Sequence, residues 1–342
     1  MTAHQFGLDT FGDATNHDDG TPKPLAQVIR DVVEEGVLAD QVGVDAFGVG
    51  EHHREDFAVS APDVVLTAIA ARTEKILIGS AVTVLSSDDP IRVYQRFSTL
   101  DAVSNGRAEV TLGRGSFTES FPLFGYSLSQ YEELFSEKLD LFAALLREEP
   151  VTWEGGFRAP LADQRVYPPT ESGRLKTWIG VGGSPESVVR AAQYGFPLLL
   201  AIIGGDPKRF APYVDLYYRA LDQLGAKALP IGVHSPGFVA ETDGEAVRRF
   251  LPGFKANRDR IGAERGWPPM SVNEFQQERA HGSLYVGSPE TVARKIADTV
   301  KALGVDRFDL KYSAGTLPHA HAMESIELYG TKVIPMVRDM LA

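Results

Sequence analysis

Short apolar runs and longer amphipathic stripes alternate along this chain from end to end. QFGL near residue 5 is the first strand-like run. Behind Pro22 and Pro24, the residues Leu25, Val28, Ile29, Val32, Val33 and Val37 recur at the three- and four-residue spacing of one helix face. DAFGVG (45–50) is a second strand, residues 62–73 a helix opening at Pro62, and KILIGSAVTVL (75–85) a third, buried strand. A helix over 90–104 begins at Pro90 and stops at Asn105-Gly106. RAEVTLG (107–113) follows as strand four, and Leu128, Tyr131, Leu134, Phe135, Leu139, Phe142 and Leu146 trace one face of the next helix. Strands at 177–182, 197–203, 230–240 and 305–312 alternate with helices at 184–195, 207–224, 243–262 and 319–340, and Pro236-Gly237 marks a bulge or bend in the seventh strand.

Eight strand–helix units in series predict an α/β chain whose parallel strands close into one (β/α)8 TIM barrel spanning residues 1–342. Three segments interrupt the rhythm and read as insertions at the barrel rim. Residues 115–127 are rich in glycine and polar positions, 148–176 hold four prolines and no helical pattern, and 263–286 are polar and irregular.

Composition narrows the chemistry by exclusion. A chain of 342 residues, 43% of them hydrophobic, can bury a large core without covalent staples. With no cysteine there is no disulfide framework, thiolate zinc site, iron–sulfur cluster or cysteine nucleophile. A formal charge of −12, with no basic stripe, is not the footprint of a nucleic-acid binder. No apolar run is long enough to span a membrane and no secretion signal opens the chain, so a cytoplasmic protein acting on a small molecule is expected.

Candidate chemistry lies at the expected strand ends, on the face where barrel active sites form. After strand two comes Glu51-His52-His53-Arg54. Adjacent strand residues point opposite ways, so the two histidines cannot both face the mouth. This disfavours a dinuclear metal site and leaves one imidazole for catalysis or ligand binding. After strand four, Arg114 sits between two glycines, free to fork onto a phosphate or to bridge an acid such as Glu119. After strand five, Gly182, Gly183, Ser184 and Ser187 open a helix; its free N–H groups cap the helix or cradle a phosphate. The similar GSPETVAR (287–294) reads as a plain helix start, and Ser80-Ala81-Val82-Thr83 as barrel core. His234 in strand seven is a candidate lining the substrate pocket, whereas His319 and His321 open a helix and are expected in solvent.

Taken in order, GVGEHH, ILIGSAVTVLSSDDPIRVYQRFSTLDAVSNGRAEVTLGRGS, VGGSPESVVRAAQYGFP and YVGSPETVARKI resemble the bacterial luciferase-like flavin monooxygenases over nearly the whole chain. The resemblance implies that His52 lies by a flavin ring and supports its chemistry with oxygen. It places a non-prolyl cis peptide at Ala81-Val82 beneath that ring, which removes those residues from the plain core. It makes Arg114 a flavin contact, Gly182, Gly183, Ser184 and Ser187 the phosphate turn, and Tyr131 a further phosphate contact. It implies reduced FMN supplied by a separate flavin reductase, O2 as co-substrate, lid segments that exclude water, and a homodimer paired through the second and third helices. Gly183 stands where the luciferase α subunit has Glu, which favours a compact backbone cradle. His234 stands near an Arg of sulfonate-oxidising relatives, which disfavours a sulfonate. Relatives that use the deazaflavin F420 for hydride transfer carry a carboxylate at the position of Ser116, so FMN is preferred and F420 is the alternative.

Overall fold

The computed structural model describes residues 4–17 and 19–342. Eight parallel strands form its centre: β1 (Gln5–Thr10), β2 (Ala46–Val49), β3 (Leu77–Ser80), β4 (Ala108–Gly113), β5 (Lys176–Val181), β6 (Leu198–Ala201), β7 (Ile231–Val239) and β8 (Arg307–Lys311). Each pairs with its sequence neighbours, and β8 returns to β1 with Gln5 opposite Arg307 and Asp9 opposite Lys311, so the sheet is a closed barrel. The helices pack outside it: α1 (Leu25–Gln41), α2 (Pro62–Ala70), α3 (Pro90–Val103), α4 (Tyr131–Leu145), α5 (Pro185–Tyr194), α6 (Ala211–Gln223), α7 (Asp243–Glu264), α8 (Val272–His281), α9 (Pro289–Leu303), α10 (His319–Leu328) and α11 (Ile334–Leu341).

Period-two alternation divides each strand between two environments. Outward residues such as Phe6, Leu8, Phe47, Val110, Leu112, Leu198, Leu200, Phe308 and Leu310 join the helices in one continuous apolar core. Several inward positions are glycine: a Cβ on Gly7 would overlap Asp309 Oδ1, one on Gly48 would overlap Asp9 Oδ1, and one on Gly79 would lie 2.7 Å from Glu109 Cγ. The absent side chains make room inside the barrel for charged ones.

The structure departs from the sequence reading in four places. The third strand is not continuous: β3 ends at Ser80, the Ala81–Val82 bond is cis, and only Thr83–Val84 resume pairing, now with β4 alone. Segment 263–286 is not irregular, because it contains α8, whose N-cap Ser271 accepts from the Glu274 N–H at 3.0 Å, and a short strand at Tyr285–Gly287 beside β7. The final helix is split by a π turn at Tyr329–Val333, just before Pro335, which has no N–H to donate. His319 is not in open solvent: its Nδ1 meets Glu35 Oε1 at 2.8 Å, and its side chain is 22% exposed. Segment 148–176 has no helix, as expected, and carries a short antiparallel hairpin, Val151–Trp153 against Leu161–Gln164.

Candidate active site

Charged side chains cross the barrel interior between strands that are not neighbours in the sheet. Arg307 on β8 reaches Glu109 on β4 and donates Nε to both oxygens of Asp309 at 2.8 and 2.9 Å, while Trp178 Nε1 on β5 lies 3.4 Å from Glu109 Oε2. One layer higher, His234 Nδ1 on β7 lies 2.6 Å from Asp9 Oδ2 on β1. Each of these groups is buried, and a charge in a low-dielectric interior stays only when paired. The ladder of pairs leads from the middle of the barrel towards its C-terminal mouth.

At that mouth the two histidines just after β2 take different partners. His52 turns into a cage of aromatic rings, with centroids of Phe11, Phe57 and Phe117 at 4.5, 4.3 and 5.4 Å. Its Nδ1 is buried without a hydrogen-bond partner. Burial among these rings, with a smaller contribution from the Lys311 cation, pushes the imidazole from 6.5 down to about 3, so it is neutral. His53 turns the other way and meets Glu51 Oε1 at 2.8 Å, while the second oxygen of Glu51 accepts from the Val84 N–H at 2.9 Å. The Glu51 N–H donates to Val82 O at 3.1 Å, so the EHH stretch clamps both sides of the 81–84 turn. Val82 then rests against bare backbone: a Cβ on Gly113 would lie 2.5 Å from it, and one on Gly180 would lie 3.0 Å away. Glycines at the ends of β4 and β5 thus let this turn lie across the opening.

From Val82 the contacts continue to a cluster of cations. Gly115 follows on the same turn, and its carbonyl accepts from Tyr131 Oη at 2.8 Å. Arg114 stacks over the Tyr131 ring at 5.3 Å and pairs with Glu132, whose other oxygen takes Arg190 Nη2 of α5 at 3.2 Å. Arg190 Nη1 is buried with no partner. Beside this pair, Ser184 is the N-cap of α5, receiving the Ser187 N–H at 3.3 Å and holding Glu186 at 2.8 Å. The Glu186 carboxyl is held below its usual range by its own backbone N–H, then by Ser184 and by Arg114 and Arg190. Gly183 has φ of 117°, which only glycine adopts freely, and its carbonyl accepts from Tyr213 Oη at 2.9 Å. No heavy atom stands within 4 Å of where a Cβ on Gly182 would be.

Three rim segments meet above His52. Arg54, only 8% exposed at its side chain, pairs with Asp56, with Glu119 after β4 and with Glu264 at the end of α7, and its guanidinium lies 4.5 Å from the Phe117 ring centroid. Arg265 adds a bond to Ser116 O at 3.0 Å and stacks on Phe117 and Trp267. Two small crevices lie elsewhere, one beside Lys138, Trp153 and Phe157, the other beside Asp13, Glu35 and His319. Neither is lined by His52 or Arg114.

The sequence-predicted residues therefore fall into one connected tract. His52, Ala81 and Val82 lie at the centre of the mouth, Arg114, Tyr131, Gly182, Gly183, Ser184 and Ser187 along one side, and His234 deeper in the barrel. Ser187 is buried and engages Ser184 through its N–H, which makes it part of the cap. Arg114 does not bridge to Glu119, which belongs to Arg54; its partner is Glu132. Sequence reasoning missed Asp9, Phe11 and Arg190, and gave Arg54 no role within the cluster after strand two. Arg190 had a signal, since it lies two turns into the Gly-Gly-Ser helix and follows its first turn on the same side.

A neutral imidazole and a cation-flanked helix start thus share the C-terminal mouth of a closed (β/α)8 barrel. The family model for luciferase-like monooxygenases matches residues 6–307, and the chain belongs to that family. Among solved structures, monooxygenase RslO1 from Streptomyces bottropensis is similar over 97% of this chain and 99% of its own, with a TM-score of 0.84 at 22% identity. The oxygenating constituent of 3,6-diketocamphane monooxygenase from Pseudomonas putida, in complex with FMN, is similar over 98% and 99%, with a TM-score of 0.79 at 20% identity. The coenzyme F420-dependent tetrahydromethanopterin reductase from Methanopyrus kandleri is similar over 98% and 99%, with a TM-score of 0.71 at 18% identity. Among the described residues no helix is long and apolar enough to cross a membrane.

Proposed function

We propose that this chain is an FMN-dependent monooxygenase that receives reduced FMN from a separate reductase and uses O2 to place one oxygen atom on a small organic substrate, releasing the other as water. The observation that carries the reading is the cation pair Arg114–Arg190 beside the Gly182–Ser184 turn. One carboxylate, Glu132, bridges the two guanidiniums, a buried Arg190 N–H still lacks an acceptor, and Gly182 leaves open space at the helix start, where Ser184 Oγ donates to Glu186. A phosphate monoester fits this donor set, and Glu132 stands where its charge would be. The flavin, when bound, supplies the two-electron reduction of O2.

The remaining roles belong to the chain's own side chains. Ser184, Gly182 and Gly183 would hold the phosphate with Arg114 and Arg190, Ser187 and Tyr131 would support that turn, and Ala81-Val82 would support the ring. His52, neutral at working pH, offers a hydrogen bond without adding charge beside the reacting oxygen. Segments 115–127, 148–176 and 263–286 form the rim of a single-domain barrel, and the ties at Arg54 exclude water from it. Val64 on α2 and Val103 on α3, both exposed, belong to the pairing face of a cytoplasmic homodimer.

Hydride transfer with F420 is the second reading, favoured by the Methanopyrus kandleri neighbour's own name and opposed by Ser116, which brings no carboxylate to the strand-four turn. Titrating the purified protein with reduced FMN, oxidised FMN and F420 separates them. Tight binding of reduced FMN is expected. Tight F420 binding with no affinity for FMN overturns the proposal.

A further inference from the structure

The proposal above leaves the Asp9–His234 pair without a task. We infer that the two residues form a proton-accepting dyad, and that the substrate is accordingly a small molecule with a weakly acidic hydroxyl on an unsaturated carbon, a phenol or a stable enol. The inference rests on the monooxygenase reading and specifies its substrate class.

The geometry carries it. Asp9 and His234 lie 225 positions apart, on strands that do not pair, and their 2.6 Å contact crosses the barrel just below the mouth. A carboxylate on Nδ1 fixes the proton there and leaves the Nε2 lone pair outward, the tautomer of a base. Among the described residues no hydrogen bond engages that Nε2, and the residue keeps 8% of its surface open. Phe11 lies nearly parallel to the ring, at 5.9 Å and 14°, and its ring centroid is 4.5 Å from that of His52. The dyad is thus one aromatic ring away from the imidazole assigned to the oxygen chemistry. Of the charges around it, Lys311 is taken by Asp13, while Asp309, opposite His234 on β8, shares Arg307 with Glu109, and burial and the neighbouring Asp9 push its carboxyl up despite Arg307. From β6 the facing residue is Ala201, and from β2 it is Gly48, whose missing Cβ is the space Asp9 occupies.

An imidazole backed by a carboxylate removes protons from hydroxyls whose acidity is within a few units of its own, such as phenols, but not from alkanes or saturated alcohols. In the proposed step the substrate O–H breaks, its proton goes to Nε2, and Asp9 balances the imidazolium. The electron pair delocalises onto carbon, a C–O bond forms there as the O–O bond breaks, and the departing oxygen takes the imidazolium proton and leaves as water. A phenol then moves its C–H proton back to oxygen, whereas an enol is left as the α-hydroxy carbonyl. Substrate, O2 and reduced FMN become hydroxylated substrate, oxidised FMN and water.

The test uses 4-nitrophenol, whose ionised form has its own absorbance, as a probe bound to the full chain with and without oxidised FMN, read against matched blanks. Wild type is expected to hold the probe ionised at least about tenfold more than in free solution, the effect of one charge-assisted hydrogen bond. His234→Gln should abolish the enrichment, and Asp9→Asn, which keeps the imidazole but favours the wrong tautomer, should remove most of it, with Asp9→Glu restoring part. No enrichment in wild type, or equal enrichment in His234→Gln or Asp9→Asn, overturns the dyad. FMN affinity is measured on the same proteins: tight FMN binding without enrichment rejects the dyad alone, and enrichment without FMN affinity rejects the flavin reading alone.

Discussion

Replacing His52 by leucine should make the flavin-free protein more resistant to acid. In the folded chain this imidazole is pushed from 6.5 down to about 3 by burial among Phe11, Phe57 and Phe117, whereas the unfolded chain titrates it near 6.5. A depressed folded pKa on a base means that, below 6.5, the unfolded state binds a proton that the folded state refuses. Stability is therefore lost as pH falls from 6.5 towards 3. Between pH 7 and pH 5 the loss covers about one and a half units at ~1.4 kcal/mol each, or about 2 kcal/mol. The part of His52 that stays accessible at the mouth trims this to between ~1 and ~2 kcal/mol. Urea unfolding of wild type and His52→Leu at both pH values supplies the four numbers, and subtracting the two differences cancels the other titrating groups. If both proteins lose the same stability within a few tenths of a kcal/mol, the account of His52 as a desolvated and neutral group is wrong.

Three further outcomes follow from contacts already described. Ser184→Glu places a carboxylate against the phosphate turn and should weaken FMN binding by at least about tenfold while leaving riboflavin binding nearly unchanged; equal weakening of both by calorimetry would put the phosphate elsewhere. Arg54→Met removes the guanidinium shared by Asp56, Glu119 and Glu264, and because two of those partners are partly exposed the cost should be about 1–3 kcal/mol. Limited proteolysis within 115–127 should quicken in the same variant, and an unaltered cleavage pattern would contradict the rim's dependence on this residue. Gly48→Ala puts a methyl group on Asp9 Oδ1 and 3.0 Å from Ala81 Cβ, and should destabilise the protein by about 1–3 kcal/mol in thermal unfolding; full retention of stability would mean that Asp9 moves freely.

Much of the architecture was readable because its signals are local. Alternating apolar runs marked all eight barrel strands, and Pro at helix starts with Asn105-Gly106 at a helix stop marked the punctuation. The different partners of His52 and His53 agree with the expectation that adjacent histidines in an extended segment do not share one face. The break in the third strand did not, since SAVT reads as continuous core and only the family resemblance pointed to Ala81-Val82. The helix at 272–281 was overlooked because it buries only Phe275, although Ser271 followed three residues later by Glu274 is a capping signature. Contacts across the barrel left no trace in the sequence. Asp9 reads as an ordinary strand residue until β7 brings His234 against it, and His319 reads as a solvent histidine until α1 presents Glu35.

The glycines inside the strands have a bearing on how this scaffold can be diversified. They give the lumen to a handful of interlocked charges, so a single substitution at Asp9, Glu109, Arg307 or Asp309 orphans its partner in a medium that does not forgive it. Mutant libraries that randomise the rim loops while holding those four positions constant should yield more folded catalysts, and more altered selectivities, than libraries of equal size aimed down the bore.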